Sequence, residues 1–242
     1  MTKVIYEPMS ALRIQYMGGD VDVVNAARVS FKKEVQVFSD KDEKLIAYLG
    51  KHNHWSPFAH VMVKLRVKMP IFVKNQMWKS HIGANVAEAW NEVSRRYVDD
   101  VPTFWRPNEW RGRPVNAKQG SSDTFVEDIA VQENAAILGE GYEDTTQKVA
   151  VYAHHTTQVA LDCYMDMIAG GVAPEMARTV LPLSMHTEWI WTGSLLFWSR
   201  IVKQRIDNHA QQESQEVAAM IRDAVAPIAP VSWQALMSTK EQ

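Results

Sequence analysis

One cysteine, Cys163, is all the thiol this chain has, so it holds neither an internal disulfide framework nor a multi-cysteine metal site. No apolar run reaches the ~18 residues that a membrane helix needs. The first ten residues, MTKVIYEPMS, lack the apolar core of a signal peptide, so a cytoplasmic protein without a membrane partner is expected. Charge of one sign is also missing. Lys and Arg number 26 against 28 Asp and Glu, a formal net charge of -2. That argues against a nucleic-acid coat, which would be basic overall. Several chemical signatures are absent. There is no G-x-G-x-x-G after a strand, no P-loop and no H-E-x-x-H, and no G-x-S-x-G elbow. His154 and His155 are adjacent, so they point to different faces of a helix, and no metal site is expected.

What is present suits a soluble globular protein. The 242 residues allow one large domain or two small ones. Apolar content of 46% with 22% charged residues is ordinary for such a chain. Nine tryptophans and twelve methionines are many, and point to broad apolar and aromatic surfaces.

Residues 2–6 and 10–17 read as a strand pair turning near Pro8 and Met9. Val21 to Val29 reads as a helix. Ser39 and Asp42 form a capping box for a helix from Asp40 to about Lys51 that buries Leu45, Ile46 and Leu49. From His60 to Met69 the sequence alternates. Val61, Val63, Leu65, Val67 and Met69 share one face and Lys64, Arg66 and Lys68 the other, which predicts a half-buried strand. Pro70 suits the first turn of a helix running from Ile71 to about Ser80. Glu92 to Val98 is a candidate short strand. Residues 99–123, rich in proline and glycine, read as a long surface excursion.

Asp123 to Ala169 reads as two helices broken near Gly139-Glu140-Gly141, the second burying Val149, Tyr152, Val159, Leu161, Tyr164 and Met167. Cys163 lies on it and is expected to be a buried structural thiol. A short helix follows from Pro174 through Arg178, then a strand from Glu188 to Thr192. Helices are expected at Ser194 to Ile206, at Asn208 to about Ala224, and near Trp233. The order predicts a mixed α/β (α+β) domain spanning 1–242, with an antiparallel-rich central sheet flanked by long helices.

Four polar groups are not explained by core periodicity. They are His52 to Phe58, the stretch Gln76 to Tyr97, Arg178 within EMARTVLPL, and Arg205 to Gln211. An arginine in an otherwise apolar helix, such as Arg178, needs a partner or solvent. Arg95, Arg96 and Arg178 can supply charge-assisted bonds, for a phosphate among other anions, and Ser94 a hydroxyl.

In order along the chain, these groups resemble one family closely: the flavin-dependent thymidylate synthases. The resemblance rests on Ala26-Ala27-Arg28-Val29-Ser30-Phe31, the His-x-Ser-Pro-Phe of His54 to Phe58, and Pro70-Ile71-Phe72-Val73 before Gln76. It continues through Asn91-Glu92-x-Ser94-x-Arg96-Tyr97, Ala177-Arg178-x-x-Leu181-Pro182 and Arg205-x-Asp207-x-His209-Ala210-Gln211. The family's arginine-histidine-arginine signature, seven residues before a serine, is not kept. Counting back from Ser94 without gaps lands on Ala84-Asn85-Val86, whereas alignment from Pro70 puts Lys79-Ser80-His81 in its place and matches Gln76 and Ile82 as well. Twelve residues separate His81 from Ser94, five more than that seven-residue spacing. Ala59 and Arg200 are further departures.

The resemblance implies an FAD enzyme that transfers a methylene from 5,10-methylenetetrahydrofolate to C5 of dUMP and reduces it to methyl with hydride from NADPH. It implies Arg205 and Ser94 as the catalytic residues. Arg205 polarises a uracil carbonyl and Ser94 positions substrate. Gln76, Lys79, Glu92, Arg95, Arg96 and Arg178 complete the substrate contacts. Ser30, His54, Lys79, His81, Ile82, Arg200 and His209 are the implied flavin contacts. A homotetramer with shared sites is implied as well. Two alternatives stay open in the sequence: a flavin-dependent deoxypyrimidine nucleotide hydroxymethylase, and a non-catalytic nucleotide- or flavin-binding module.

Overall fold

The computed structural model describes residues 2–84, 88–115, 120–133 and 143–239, with the side chains of 82–84, 132, 133 and 143–145 left out. Along the chain run β1 (Ile5–Tyr6), β2 (Ser10–Met17), α1 (Asp20–Arg28), α2 (Asp40–Lys51), β3 (Met62–Pro70), α3 (Ile71–Ala84), β4 (Glu88–Glu92) and β5 (Thr103–Phe104). Then come β6 (Asp128–Glu133), β7 (Glu143–Lys148), α4 (Val149–Ala169), α5 (Pro174–Ala177), β8 (His186–Ser194), α6 (Leu195–Ile206), α7 (Gln212–Val225) and α8 (Pro230–Ser238). The class is mixed α/β with antiparallel pairing, as expected. The backbone gathers into two compact units: Pro8–Val93 with Thr187–Gln242, and Met1–Glu7 with Ser94–His186.

In the larger unit a four-stranded sheet has the order β2-β3-β8-β4. The alternation read for β3 holds: Val61, Val63, Leu65, Val67 and Met69 are all fully buried. β8 buries Trp189 and Trp191. Trp90 of β4 stacks on Trp189 at 4.2 Å, and Trp191 meets Trp198 of α6 edge-on at 5.0 Å. These offset and edge contacts are the arrangements that aromatic quadrupoles favour. α6 is the central helix, with Leu195 to Ser199, Ile201 and Val202 buried. Its first turn is capped by Ser194, whose Oγ accepts from the Phe197 N–H at 3.1 Å. A Cβ at Gly193 would lie 2.3 Å from the Phe197 ring, so this close approach needs glycine.

α2 spans the expected residues. The Asp42 carboxylate, 1% exposed, accepts from the Ser39 N–H at 2.9 Å and from its hydroxyl at 2.6 Å. Arg28 at the end of α1 pairs with it at 2.6 Å. Leu45 is only half-buried, beside fully buried Ile46.

Several expectations need correction. β1 does not pair with β2. β2 runs antiparallel to β3, from Ser10↔Lys68 to Met17↔Met62, whereas β1 pairs parallel with β5 in the smaller unit. Pro8 has no N–H with which to extend a hairpin ladder between them. The strand expected at Glu92 to Val98 lies earlier, at Glu88–Glu92, where it pairs with β8 from Gly193 to Trp189. Ser94–Tyr97 is a turn closed by the Tyr97 N–H on the Ser94 carbonyl at 3.0 Å. Pro70 ends β3 rather than opening α3.

In the smaller unit, Asp128–Glu133 and Glu143–Lys148, expected to be helical, form an antiparallel pair. Alternating Ile129 and Val131 and the β-branched pair Thr145-Thr146 suit strands. The break expected at Gly139 to Gly141 lies outside the described residues. α4 buries Thr157, Leu161 and Tyr164. This single stripe turns Tyr152 and Val159 outward, and both are exposed. It also exposes Cys163, two residues past Leu161 and thus roughly 200° around the helix. α7 starts at Gln212, not Asn208, because the Asp207 side chain accepts from the His209 N–H at 2.8 Å and holds a turn there.

Candidate active site

The polar centre of the larger unit is built where α3, α6 and α7 meet. Gln76 and Ser80 stand four residues apart on α3 and therefore share a helix face. Arg205, in the last turn of α6, lies across that face. Its Nε donates to Ser80 Oγ at 2.5 Å, and its Nη2 donates to the Gln76 carbonyl at 2.6 Å. Its Nη1 has no hydrogen bond among the described residues. Burial pushes the Arg205 pKa down, because a guanidinium is less stable away from water. The Gln76 side chain is itself fixed. Its Nε2 donates to Gln211 Oε1 and its Oε1 accepts from Ser214 Oγ at 3.0 Å. Gln211 in turn donates to buried Glu213 at 2.7 Å. The result is a half-buried cation with two bonds committed to the protein.

A second cluster lies at the end of β4. Glu92 accepts from Lys74 at 2.6 Å and from Thr187 Oγ1 at 2.6 Å. A third surrounds His81. Its ring stacks on Trp78 at 4.7 Å and its Nδ1 lies 3.1 Å from Glu88. Glu88 also accepts from Trp191 Nε1 at 3.1 Å. Lys79, between Trp78 and Ser80, is exposed. The side chain of Ile82 lies outside the described residues.

A cavity of about 840 Å³ opens elsewhere in this unit, against α2, α6 and α8. His54 and Arg200 both line it, together with Lys51, Trp55 and Lys203. Lys203 already donates to the Thr239 carbonyl at 2.6 Å. Volumes of this order hold sizeable ligands, and the cations suit a phosphorylated one. Ser30 is exposed in a 3-10 turn, Val29–Phe31, directly after Arg28. His209 is exposed in the turn before α7.

The remaining expected residues belong to the smaller unit. Arg95 is tied to Asp100, donating to its carbonyl at 2.5 Å and its Oδ1 at 2.7 Å. Arg96 donates through Nε to Ser94 Oγ at 3.1 Å and lies over the Tyr97 ring at 5.0 Å. Arg178 is exposed, its Nε on the Glu175 carbonyl at 3.2 Å, so it finds the solvent an arginine there requires.

Thus Gln76 joins Arg205, His54 and Arg200 share a cavity, and Ser94 joins Arg96. Glu92 meets none of the other expected residues. Sequence reasoning missed Ser80, Lys74 and Glu88. Ser80 alone had a readable signal, its place one helical turn after Gln76.

The family model described as Thymidylate synthase complementing protein matches residues 13–231. A flavin-dependent thymidylate synthase of Thermosipho africanus is 33% identical over 224 residues, covering 93% of this chain and 89% of that protein. One from Thermus thermophilus is 35% identical over 222 residues, covering 92% and 73%. Among solved structures, the UMP/dUMP methylase PolB of Streptomyces cacaoi, bound with 5-Br dUMP, matches with a TM-score of 0.75. It is 24% identical, and 98% of each chain is covered. At that identity the likeness establishes the fold.

Proposed function

We propose, for a chain that belongs to the flavin-dependent thymidylate synthase family, that it methylates dUMP at C5 to give dTMP. The methylene comes from 5,10-methylenetetrahydrofolate and the reducing equivalents from NADPH through FAD. The observation that carries this reading is Arg205, half-buried and held by Ser80 and Gln76 with Nη1 left over. A fixed cation is what a uracil carbonyl needs as negative charge develops on the ring. Polarisation of that kind makes a thiol nucleophile unnecessary, and exposed Cys163 is given no part in the chemistry.

Ser94, Arg95, Arg96 and Arg178 are assigned to the nucleotide, with charge-assisted bonds to its phosphate. Glu92 and Lys79 are assigned to the same substrate, and Gln76 orients Arg205. His54 and Arg200, on one 840 Å³ cavity with Lys51 and Lys203, suit a flavin dinucleotide, whose diphosphate calls for cations. When bound, that flavin supplies the hydride chemistry. Ser30, His81, Ile82 and His209 are carried as further flavin contacts on the family resemblance.

A homotetramer in the cytoplasm completes the proposal. Leu12, Ile14, Tyr16 and Met17 of edge strand β2 are exposed, and assembly would cover such a patch. No helix among the described residues is long and apolar enough to cross a membrane. The deciding experiment incubates the protein with FAD, dUMP, methylenetetrahydrofolate and NADPH and weighs the nucleotide product. 5-Methyl product is expected. Hydroxymethyl product, or unchanged dUMP, overturns the assignment. Light scattering on the purified protein reads the subunit number.

A further inference from the structure

Ser80 stands at the middle of the tripeptide Lys79-Ser80-His81, and the residue is 2% exposed. A hydroxyl so deeply buried needs a hydrogen-bond partner. Among the described residues that partner is the Nε of Arg205, at 2.5 Å. The same guanidinium reaches the carbonyl of Gln76 with Nη2. Both acceptors come from one turn of α3, four residues apart, and together they fix two of the three guanidinium nitrogens. Two bonds to a planar group set its plane as well as its position.

We propose that Ser80 is a positioning residue for the reaction. It holds the Arg205 plane so that the Nη1 donors are presented to the nucleotide base. This rests on the role assigned to Arg205 above. The role of Ser80 runs through Arg205, the partner of its hydroxyl. With Ser80→Ala, Nε loses its acceptor, and only the Gln76 carbonyl remains to orient the guanidinium. The charge is kept and its direction is lost. A transition-state contact then suffers more than ground-state binding, because it requires the tighter alignment.

The test compares Ser80→Ala, Ser80→Thr and Ser80→Val in the full-length protein with FAD. kcat and KM for dUMP come from the product assay, and dUMP Kd from quenching of tryptophan fluorescence. Ser80→Ala is expected to lower kcat about 10- to 100-fold, with KM changed less than about threefold and flavin content unchanged. Ser80→Thr, which restores the hydroxyl, recovers most of kcat. Ser80→Val, which has threonine's shape without the hydroxyl, does not. The Thr and Val pair decides the matter even where Ser80→Ala folds poorly. In an Arg205→Ala background, Ser80→Ala leaves the dUMP Kd unmoved.

Equal kcat for Ser80→Thr and Ser80→Val overturns the proposal, as does a shift of the dUMP Kd by Ser80→Ala in the Arg205→Ala background. Full turnover by Arg205→Ala itself is a different result. It removes the role of Arg205 and this proposal with it.

Discussion

Arg205→Lys is the sharpest perturbation of the proposed chemistry, because it keeps the charge and removes the fork. Arginine reaches Ser80 Oγ and the Gln76 carbonyl with two different nitrogens and still has Nη1 to spare. A lysine has one ammonium at the end of a flexible stem, and it cannot hold both acceptors while also presenting an aligned donor to the base. A hydrogen bond to a charged group contributes ~1.5–3 kcal/mol, so losing one in the transition state lowers kcat roughly 10- to 150-fold.

A second signature concerns pH. Burial lowers the Arg205 pKa, but arginine starts so high that it stays charged throughout the working range. Lysine starts at ~10.4, and the same burial pushes it down. The catalytic cation is therefore lost as pH rises through the lowered folded value, and the variant shows an alkaline fall in kcat that the parent lacks. Stability moves the other way. Between the lowered folded pKa and the unfolded one, the unfolded chain binds more protons, so the variant gains stability as pH rises. Rates come from the dTMP assay across pH, and stability from urea melts over the same range. A variant within twofold of the parent, with no added alkaline limb, would refute the reasoning.

Three other outcomes are expected. Asp42→Asn removes the carboxylate that receives both Ser39 groups and Arg28, and should destabilise the fold by ~2–3 kcal/mol; an unchanged urea midpoint, read by tryptophan fluorescence, would sink that account. Arg178→Ala should raise the dUMP Kd by at least about tenfold and leave the melting temperature close to the parent's, since the side chain is exposed; near-normal affinity would remove Arg178 from the substrate site. Cys163→Ser should leave turnover and melting temperature unchanged, and the native thiol should react promptly with a disulfide reagent because it is exposed. Loss of turnover with the fold preserved would restore the thiol to the mechanism.

Where one physical signal dominated, the sequence could be read to within a residue or two. β3 is legible because five alternating apolar side chains face one way, and α2 because Ser39 and Asp42 cap it. Strand pairing was not legible, since nothing local says that Ile5 pairs with Thr103 rather than with β2. The β6 and β7 pair was misread as helix because short apolar runs fit both periods. Cys163 was misplaced for a related reason. α4 carries apolar residues on several faces, and only the Thr157, Leu161 and Tyr164 stripe is buried. Periodicity names a face once packing has chosen it. At the site, the motifs supply candidate residues, whereas the clamp on Arg205 depends on two helices separated by more than a hundred residues in the chain.

The tripeptide Lys79-Ser80-His81 shows why consecutive residues need not share a task. Successive helical side chains diverge by roughly 100°, so three neighbours address three surroundings. Lys79 is exposed, Ser80 turns inward onto Arg205, and His81 lies on Trp78 beside Glu88. A change at any one of the three positions is therefore a separate change. At the middle position the consequence is steric as well as chemical. A histidine there would carry a ring into the space where a buried hydroxyl takes the Arg205 Nε at 2.5 Å. The guanidinium would have to move to admit it. The small residue at 80 and the present pose of Arg205 are thus one arrangement, and the site cannot exchange one without rebuilding the other.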